Sequence, residues 1–175
     1  MESFYQLAEK RRSIRKYTNQ EISQEIIDKL LVVALMSPAS KRSNPWEFIV
    51  VNSPELLEKL AECKPHGASF IKEAPLAIVV IADSAKSDVW VEDTSIASIY
   101  LQLAAEDMGL GSCWVQVHKR KHASGIDSSE FVKELLQIPS NFEVESIISF
   151  GYKNEERQAF DTTKALYERI HTNKF

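Results

Sequence analysis

Only two cysteines stand in the 175 residues, Cys63 and Cys113, far apart and in no CxxC spacing. That pattern carries neither a zinc-ligand set nor a disulfide framework, and both thiols read as reduced and structural. Glycine is scarce too, with 5 residues, and no Gly-rich segment ends in Lys-Ser or Lys-Thr, which excludes a phosphate loop of that type. Gly109-Leu110-Gly111 opens like a dinucleotide fingerprint but lacks the third glycine and leads into a strand pattern rather than a helix. No run is apolar for long enough to cross a bilayer, and Met1-Glu2-Ser3-Phe4 shows no basic stretch followed by an apolar one. The expectation is a cytoplasmic protein that does not meet a membrane. Internal repeats, low-complexity segments and linkers rich in Gly, Pro or Ser are also missing, which favours one continuous domain over residues 1–175. Positive charge is not in surplus: 21 basic residues face 25 acidic ones, for a net charge of −4. A protein that coats nucleic acid needs a broad positive surface, so nucleic acid is excluded as the main partner.

What is present is an ordinary globular composition, 44% hydrophobic and 26% charged, with enough length for a real core. Near the start, Arg11, Arg12, Ser13, Ile14 and Arg15 pack three guanidiniums and a hydroxyl into five residues. A guanidinium fork bonds two phosphate oxygens at once and stays charged at physiological pH, so the cluster suits a phosphomonoester. Taken alone, the five residues fit a solvated basic face as well as an anion grip.

Helical and strand patterns then alternate. Apolar positions from Ile26 to Leu35 recur at helical spacing after Ser23 as N-cap, and the helix stops at Ser37-Pro38. Trp46 to Val51 reads as a strand, and Ser53-Pro54-Glu55 opens a helix with proline in its first turn. Leu76 to Ala82 is apolar throughout, which predicts a strand buried on both faces in mid-sheet. Thr94 to Ala105 contains no charge and predicts a helix covered nearly all round, in the centre of the domain or in a subunit interface, with Gly109 ending it. Ser112 to Val117 and Val144 to Tyr152 predict two more strands, and Asp127-Ser128-Ser129-Glu130 a capping box between them. The fold expected is a three-layer α+β (or α/β) sandwich around a mixed, mainly antiparallel sheet. The tail at 153–175 has helical spacing from Asp161 to His171 and is expected to reach a partner subunit.

Two polar segments stand out. The loop Pro38-Ala39-Ser40-Lys41-Arg42-Ser43-Asn44-Pro45 links a strong helix to a strong strand with free donors, fitting either a ligand contact or a hydrogen-bonded turn. His118 and His122 stand four apart around Lys119-Arg120-Lys121, but no acid or thiol completes a metal shell, and the run reads as a solvated basic loop.

The ordered set Arg11-Arg12-Ser13-Ile14-Arg15, Ser37-Pro38-Ala39-Ser40, Asn44-Pro45-Trp46-Glu47-Phe48 and Gly109-Leu110-Gly111-Ser112-Cys113-Trp114 resembles the FMN-dependent nitroreductase family, over roughly Phe4 to Tyr152. The resemblance implies an FMN cofactor, with Arg11, Ser13 and Arg15 on its phosphate and ribityl chain and Arg12 nearer the ring. It implies that Pro38, Ala39, Ser40, Arg42 and Asn44 reach the flavin from a second subunit, so that the site exists only in a homodimer. Leu110 and Gly111 match the turn whose backbone approaches the isoalloxazine ring, and Arg157, ahead of Lys153 and Lys164, is the candidate for a further phosphate contact. The family usually has Asn where this chain has Arg42, and Gln where it has Asn44. Arg42 thus adds positive charge beside the flavin, favouring the anionic reduced form and an acidic substrate or a nucleotide phosphate. The activity implied is hydride transfer from NAD(P)H to the flavin, then reduction of a nitroaromatic, a quinone or a similar acceptor by a ping-pong mechanism, with no side chain as nucleophile. Two other classes fit the residues: a flavin-binding module for storage or sensing, and a non-enzymatic dimeric interaction protein.

Overall fold

A computed structural model of the chain describes residues 3–175; Met1 and Glu2, which enter the reading of the chain's start, lie outside the described residues. The helices are α1 (Phe4–Lys10), α2 (Gln24–Leu35), α3 (Pro54–Leu60), α4 (Trp90–Asp107) and α5 (Ser128–Leu136), and the strands β1 (Trp46–Val51), β2 (Leu76–Asp83), β3 (Leu110–Gln116) and β4 (Phe142–Tyr152). The strands form one sheet in the order β1-β2-β4-β3, with every ladder antiparallel. The parallel component is a single bridge from Ser13 to Ser112 on the outer side of β3. β2 lies in mid-sheet, and its first seven residues are buried, because a central strand covered on both faces has no polar side to show.

Two apolar clusters fill the layers on either side. Leu57, Leu60 and Ile71 pack with Val132 against Val79, Val115 and Ile147 on one face. On the other, Ile27 and Leu30 of α2 and Leu101 of α4 cover Ile78, Val80, Leu110 and Ile148. The uncharged stretch Thr94 to Ala105 lies within α4, whose buried Ser98 hydroxyl bonds Ser146 of β4 at 3.0 Å. At its end Gly109 takes a positive φ of 77°, the left-handed conformation that glycine adopts without strain.

Two expectations are corrected. Asp127 is the N-cap of α5 but its side chain makes no capping bond; the carboxylate is drawn 2.8 Å from the Lys121 ammonium instead. The helical spacing of the tail yields only two short 3-10 turns, Thr162–Lys164 and Tyr167–Arg169. Leu166, Tyr167 and Ile170 are exposed there, so an apolar stripe exists without a packed face to fix a helix against.

Candidate functional site

Two glycines seat the arginine segment. Gly111 of β3 and Gly151 of β4 face each other directly across the ladder, so they leave a double notch on one face of the sheet. A Cβ on Gly111 would lie 2.7 Å from Cγ2 of Ile14, and one on Gly151 would lie 2.7 Å from Cδ1 of Tyr17. Ile14 and Tyr17 occupy the notch and are buried. The seating is hydrogen-bonded as well as packed: the Ile14 N–H donates to the Ser112 carbonyl at 3.0 Å and the Thr18 N–H to the Tyr152 carbonyl at 2.9 Å. The Tyr17 hydroxyl donates to the Ile14 carbonyl at 2.6 Å and pairs with the Ser149 hydroxyl at 2.8 Å. Burial pushes that phenol well above its ordinary pKa, so it remains a donor. The Arg15 N–H is fixed at 2.6 Å by a Glu155 oxygen, and this bond holds the Glu155 carboxyl below the usual range.

Between these anchors the side chains part to two sides. Burial pushes the Cys113 thiol up, and the Arg15 charge and the Ser13 hydroxyl pull it back. The Arg15 guanidinium lies over the Phe70 ring, 5.7 Å from its centroid, an arrangement that holds a cation without cancelling its charge. Arg12 instead lines a neighbouring cavity of about 600 Å³ with Lys10, Lys153 and Arg157. Glu155 joins the two sides, because it also pairs with Arg157 at 2.8 Å. Among the described residues, no carboxylate pairs with Arg11, Arg12 or Arg15.

The open edge of β3 lies beside the arginines. In an antiparallel ladder alternate residues turn both main-chain groups away from the partner strand. The outward set is Ser112, Trp114 and Gln116, because Ser112 offers its carbonyl to Ile14 and Gln116 offers its carbonyl to the Lys64 ammonium at 3.1 Å. The N–H groups of Trp114 and Gln116 therefore point outward from the sheet. Leu110 is fully buried, and Gly111 lacks a side chain where Ile14 packs; the outward N–H groups of Trp114 and Gln116 lie three and five residues beyond Gly111.

The loop 38–45 is built on a residue that the sequence reading passed over. Asp93, buried in the first turn of α4, accepts from the Ser40 N–H at 2.8 Å and from the Ser87 hydroxyl at 2.8 Å. An acid set directly before the uncharged stretch 94–105 was the signal available. Lys41, Arg42 and Asn44 adopt positive φ of 53°, 57° and 41°, conformations that non-glycine residues hold only when their surroundings enforce them. The Ser43 hydroxyl and the Trp46 ring N–H are buried without a partner. Among the described residues, no hydrogen bond or ion pair joins this loop to the Arg11–Arg15 segment, so the structure gathers Arg11, Ser13 and Arg15 but leaves Pro38, Ala39, Ser40, Arg42 and Asn44 apart from them. Nor do His118 and His122 share a site: His118 packs edge-on to Trp90, and His122 stacks on Phe131.

Comparison with known proteins agrees with this architecture. The "Nitroreductase family" model matches residues 8–64 and 62–152. The chain is 40% identical over 171 residues to a Methanothermobacter thermautotrophicus protein, covering 94% of this chain and 84% of that one. It is 37% identical over 180 residues to an Archaeoglobus fulgidus protein, with both chains fully covered. Both relatives bear the name "Putative NADH dehydrogenase/NAD(P)H nitroreductase". Among solved structures, an FMN-dependent nitroreductase from Clostridium difficile R20291 superimposes with a TM-score of 0.95 at 48% identity, covering 97% of this chain and 98% of that one. With its notch-seated arginines, open β3 edge and matching sheet, this chain belongs to the nitroreductase family.

Proposed function

We propose that the protein is an FMN-dependent oxidoreductase that takes hydride from NAD(P)H and passes the electrons to a small acceptor such as a nitroaromatic or a quinone. The observation that carries this reading is the group Arg11, Ser13 and Arg15, whose guanidiniums pair with no carboxylate among the described residues and which stands beside outward-facing amides. These residues fit FMN. The arginines and the hydroxyl suit its phosphate, and the Trp114 and Gln116 N–H groups suit the acceptor atoms along its ring. Arg12 and Arg157, in the adjoining cavity, add positive field from the second side. Bound FMN supplies reversible hydride acceptance, chemistry that no side chain here can perform.

The protein's own part is to bind and orient. Tyr17 and the glycine notch fix the height of the arginine segment, and Asp93 fixes the 38–45 loop at Ser40. That loop serves a second copy of the chain: Pro38, Ala39, Ser40, Arg42 and Asn44 close the partner's flavin site, with FMN at the interface of a homodimer. Supporting this, Val32 and Leu35 of α2, Met36 just beyond it and Ile99 of α4 are exposed, while Leu166 and Tyr167 lie exposed on the tail. Apolar residues in such number on one chain mark a surface that another subunit covers. No helix of the described residues is long and apolar enough to cross a membrane.

The test is spectroscopic. Purified protein loaded with FMN is expected to bleach under nitrogen on addition of NADH or NADPH and to regain its yellow colour with a nitroaromatic. Failure to bleach with either nucleotide would leave a storage or sensing module. Failure to take up FMN would remove every flavin reading.

A further inference from the structure

β4 carries one residue more than β2 can face. Val80 lies opposite Ser146 and Ile81 opposite Val144, so Glu145 between them has no partner on β2 and forms a bulge, a device that re-aims a side chain. Glu145 is 2% exposed, and both its main chain and its side chain hold the far end of β3. Its carbonyl accepts the N–H groups of Val117 at 3.1 Å and His118 at 3.0 Å. Its carboxylate Oε1 accepts from Nε2 of Gln116 at 3.1 Å, and that nitrogen also reaches the His118 carbonyl at 3.2 Å. Gln116 Oε1 in turn accepts from the Trp114 indole N–H at 2.9 Å. One carboxylate thus anchors the side chains of Trp114 and Gln116, the two residues whose main-chain N–H groups point outward.

The second carboxylate oxygen, Oε2, is buried with no hydrogen-bond partner. Among the described residues, no ammonium or guanidinium pairs with this carboxylate. The charged and titratable groups that face it are His118 and Lys119, which follow β3, and Glu92 in the first turn of α4. Burial raises its pKa and Glu92 adds to the rise, while Gln116, His118 and Lys119 oppose it. An unpaired acid set behind a binding edge costs stability, and such costs persist where function uses them.

Hydride carries two electrons and one proton, so its arrival leaves one negative charge at the outward edge of β3. Glu145 stands one glutamine side chain behind that edge. At an effective dielectric of about 20, a new unit charge ~10 Å away strengthens proton binding at a carboxylate roughly tenfold. We propose that Glu145 balances this charge: its Oε2 takes a proton from solvent when the flavin is reduced and releases it when the acceptor removes the electrons. This inference rests on the flavin reading above. Reduction consumes NAD(P)H and one solvent proton, which neutralises Glu145. On reoxidation a quinone takes the hydride, Glu145 returns its proton to solvent, and the quinone draws its second proton from there. Glu145 touches neither flavin nor acceptor and is a positioning residue, acting through Gln116 and through its charge.

The experiment is infrared difference spectroscopy of FMN-loaded protein, reduced electrochemically at intervals from about pH 5 to about pH 8. Within that range wild type is expected to gain the C=O band of a protonated carboxyl on reduction and to lose it on reoxidation. Glu145→Gln is expected to lack the band, whereas Glu143→Gln, which alters a neighbouring acid of β4, keeps it. The midpoint potential, followed by flavin absorbance, is expected to fall more steeply with pH in wild type than in Glu145→Gln where the band grows. No carboxyl band in wild type at any pH would overturn the inference without recourse to a variant, and so would a band that survives in Glu145→Gln. Absence of FMN uptake, visible in the absorbance before reduction, would remove the flavin reading as well, so the two failures are told apart in one sample.

Discussion

Replacing Gly111 by alanine tests how the arginine segment is held. The new Cβ would stand 2.7 Å from Ile14 Cγ2, 2.8 Å from its Cβ and 3.0 Å from its Cγ1, closer than carbon atoms pack. Ile14 cannot step aside freely, because its N–H is bonded to Ser112 and its carbonyl to the Tyr17 hydroxyl. Overpacking of this kind costs about 1–3 kcal/mol, which lowers the melting temperature of a domain this size by about 4–8 °C for a loss of ~2 kcal/mol. The segment must also lift from the sheet, carrying Ser13 and Arg15 away from the β3 edge. Losing one charge-assisted bond of ~1.5–3 kcal/mol weakens FMN binding by about tenfold or more. The assay is thermal unfolding of the flavin-free protein beside an FMN titration followed by flavin fluorescence. Both quantities are expected to fall together. Unchanged stability with lost FMN binding would mean that the glycine admits the flavin rather than Ile14, and no change in either would refute the notch.

Other perturbations follow from the same contacts. Asp93→Ala strands the Ser40 N–H and the Ser87 hydroxyl; it is expected to cost about 3 kcal/mol and to lower turnover more than FMN content, measured by thermal unfolding and steady-state kinetics. Glu145 is buried with one carboxylate oxygen unpartnered, and burial raises its pKa above the ordinary 4.5. Below that ordinary value the group is neutral in both states and costs nothing, whereas above its raised folded value the native state carries a buried charge. Glu145→Gln is therefore expected to be more stable than wild type at pH 7, with the advantage vanishing as the pH falls through 4.5, in paired urea melts. Burial raises both thiols, Cys63 to about 11 and Cys113 in the same direction, so neither is expected to react with a disulfide reagent at pH 8 until the protein is unfolded.

Local signals carried much of the fold. Trp46–Val51 and Leu76–Asp83 announce themselves by β-branched and apolar runs, and Pro54 opens α3 as proline does in a first turn. The arginine cluster is legible because three guanidiniums in five residues need little context. The notch was not legible, since it depends on Gly111 and Gly151 meeting across a ladder 40 residues apart in sequence. Register of that kind is fixed by tertiary pairing. The same holds for Glu145, which stands where the β2–β4 register shifts at Val80/Ile81, so a buried acid appears in a run that otherwise reads as an alternating strand. The tail misled because apolar spacing predicts a helix only if a surface exists to receive it.

FMN affinity of Arg15→Ala tests the phosphate clamp most directly. Arg15 is exposed, its guanidinium rests on Phe70, and its anchoring bond uses the main-chain N–H, so removing the side chain leaves the fold in place. The clamp predicts a melting temperature within about 2 °C of wild type, since an exposed substitution seldom costs more than ~0.5 kcal/mol. It also predicts an FMN dissociation constant raised by about tenfold to a hundredfold, the worth of one charged hydrogen bond. An unchanged dissociation constant in a folded variant would contradict it.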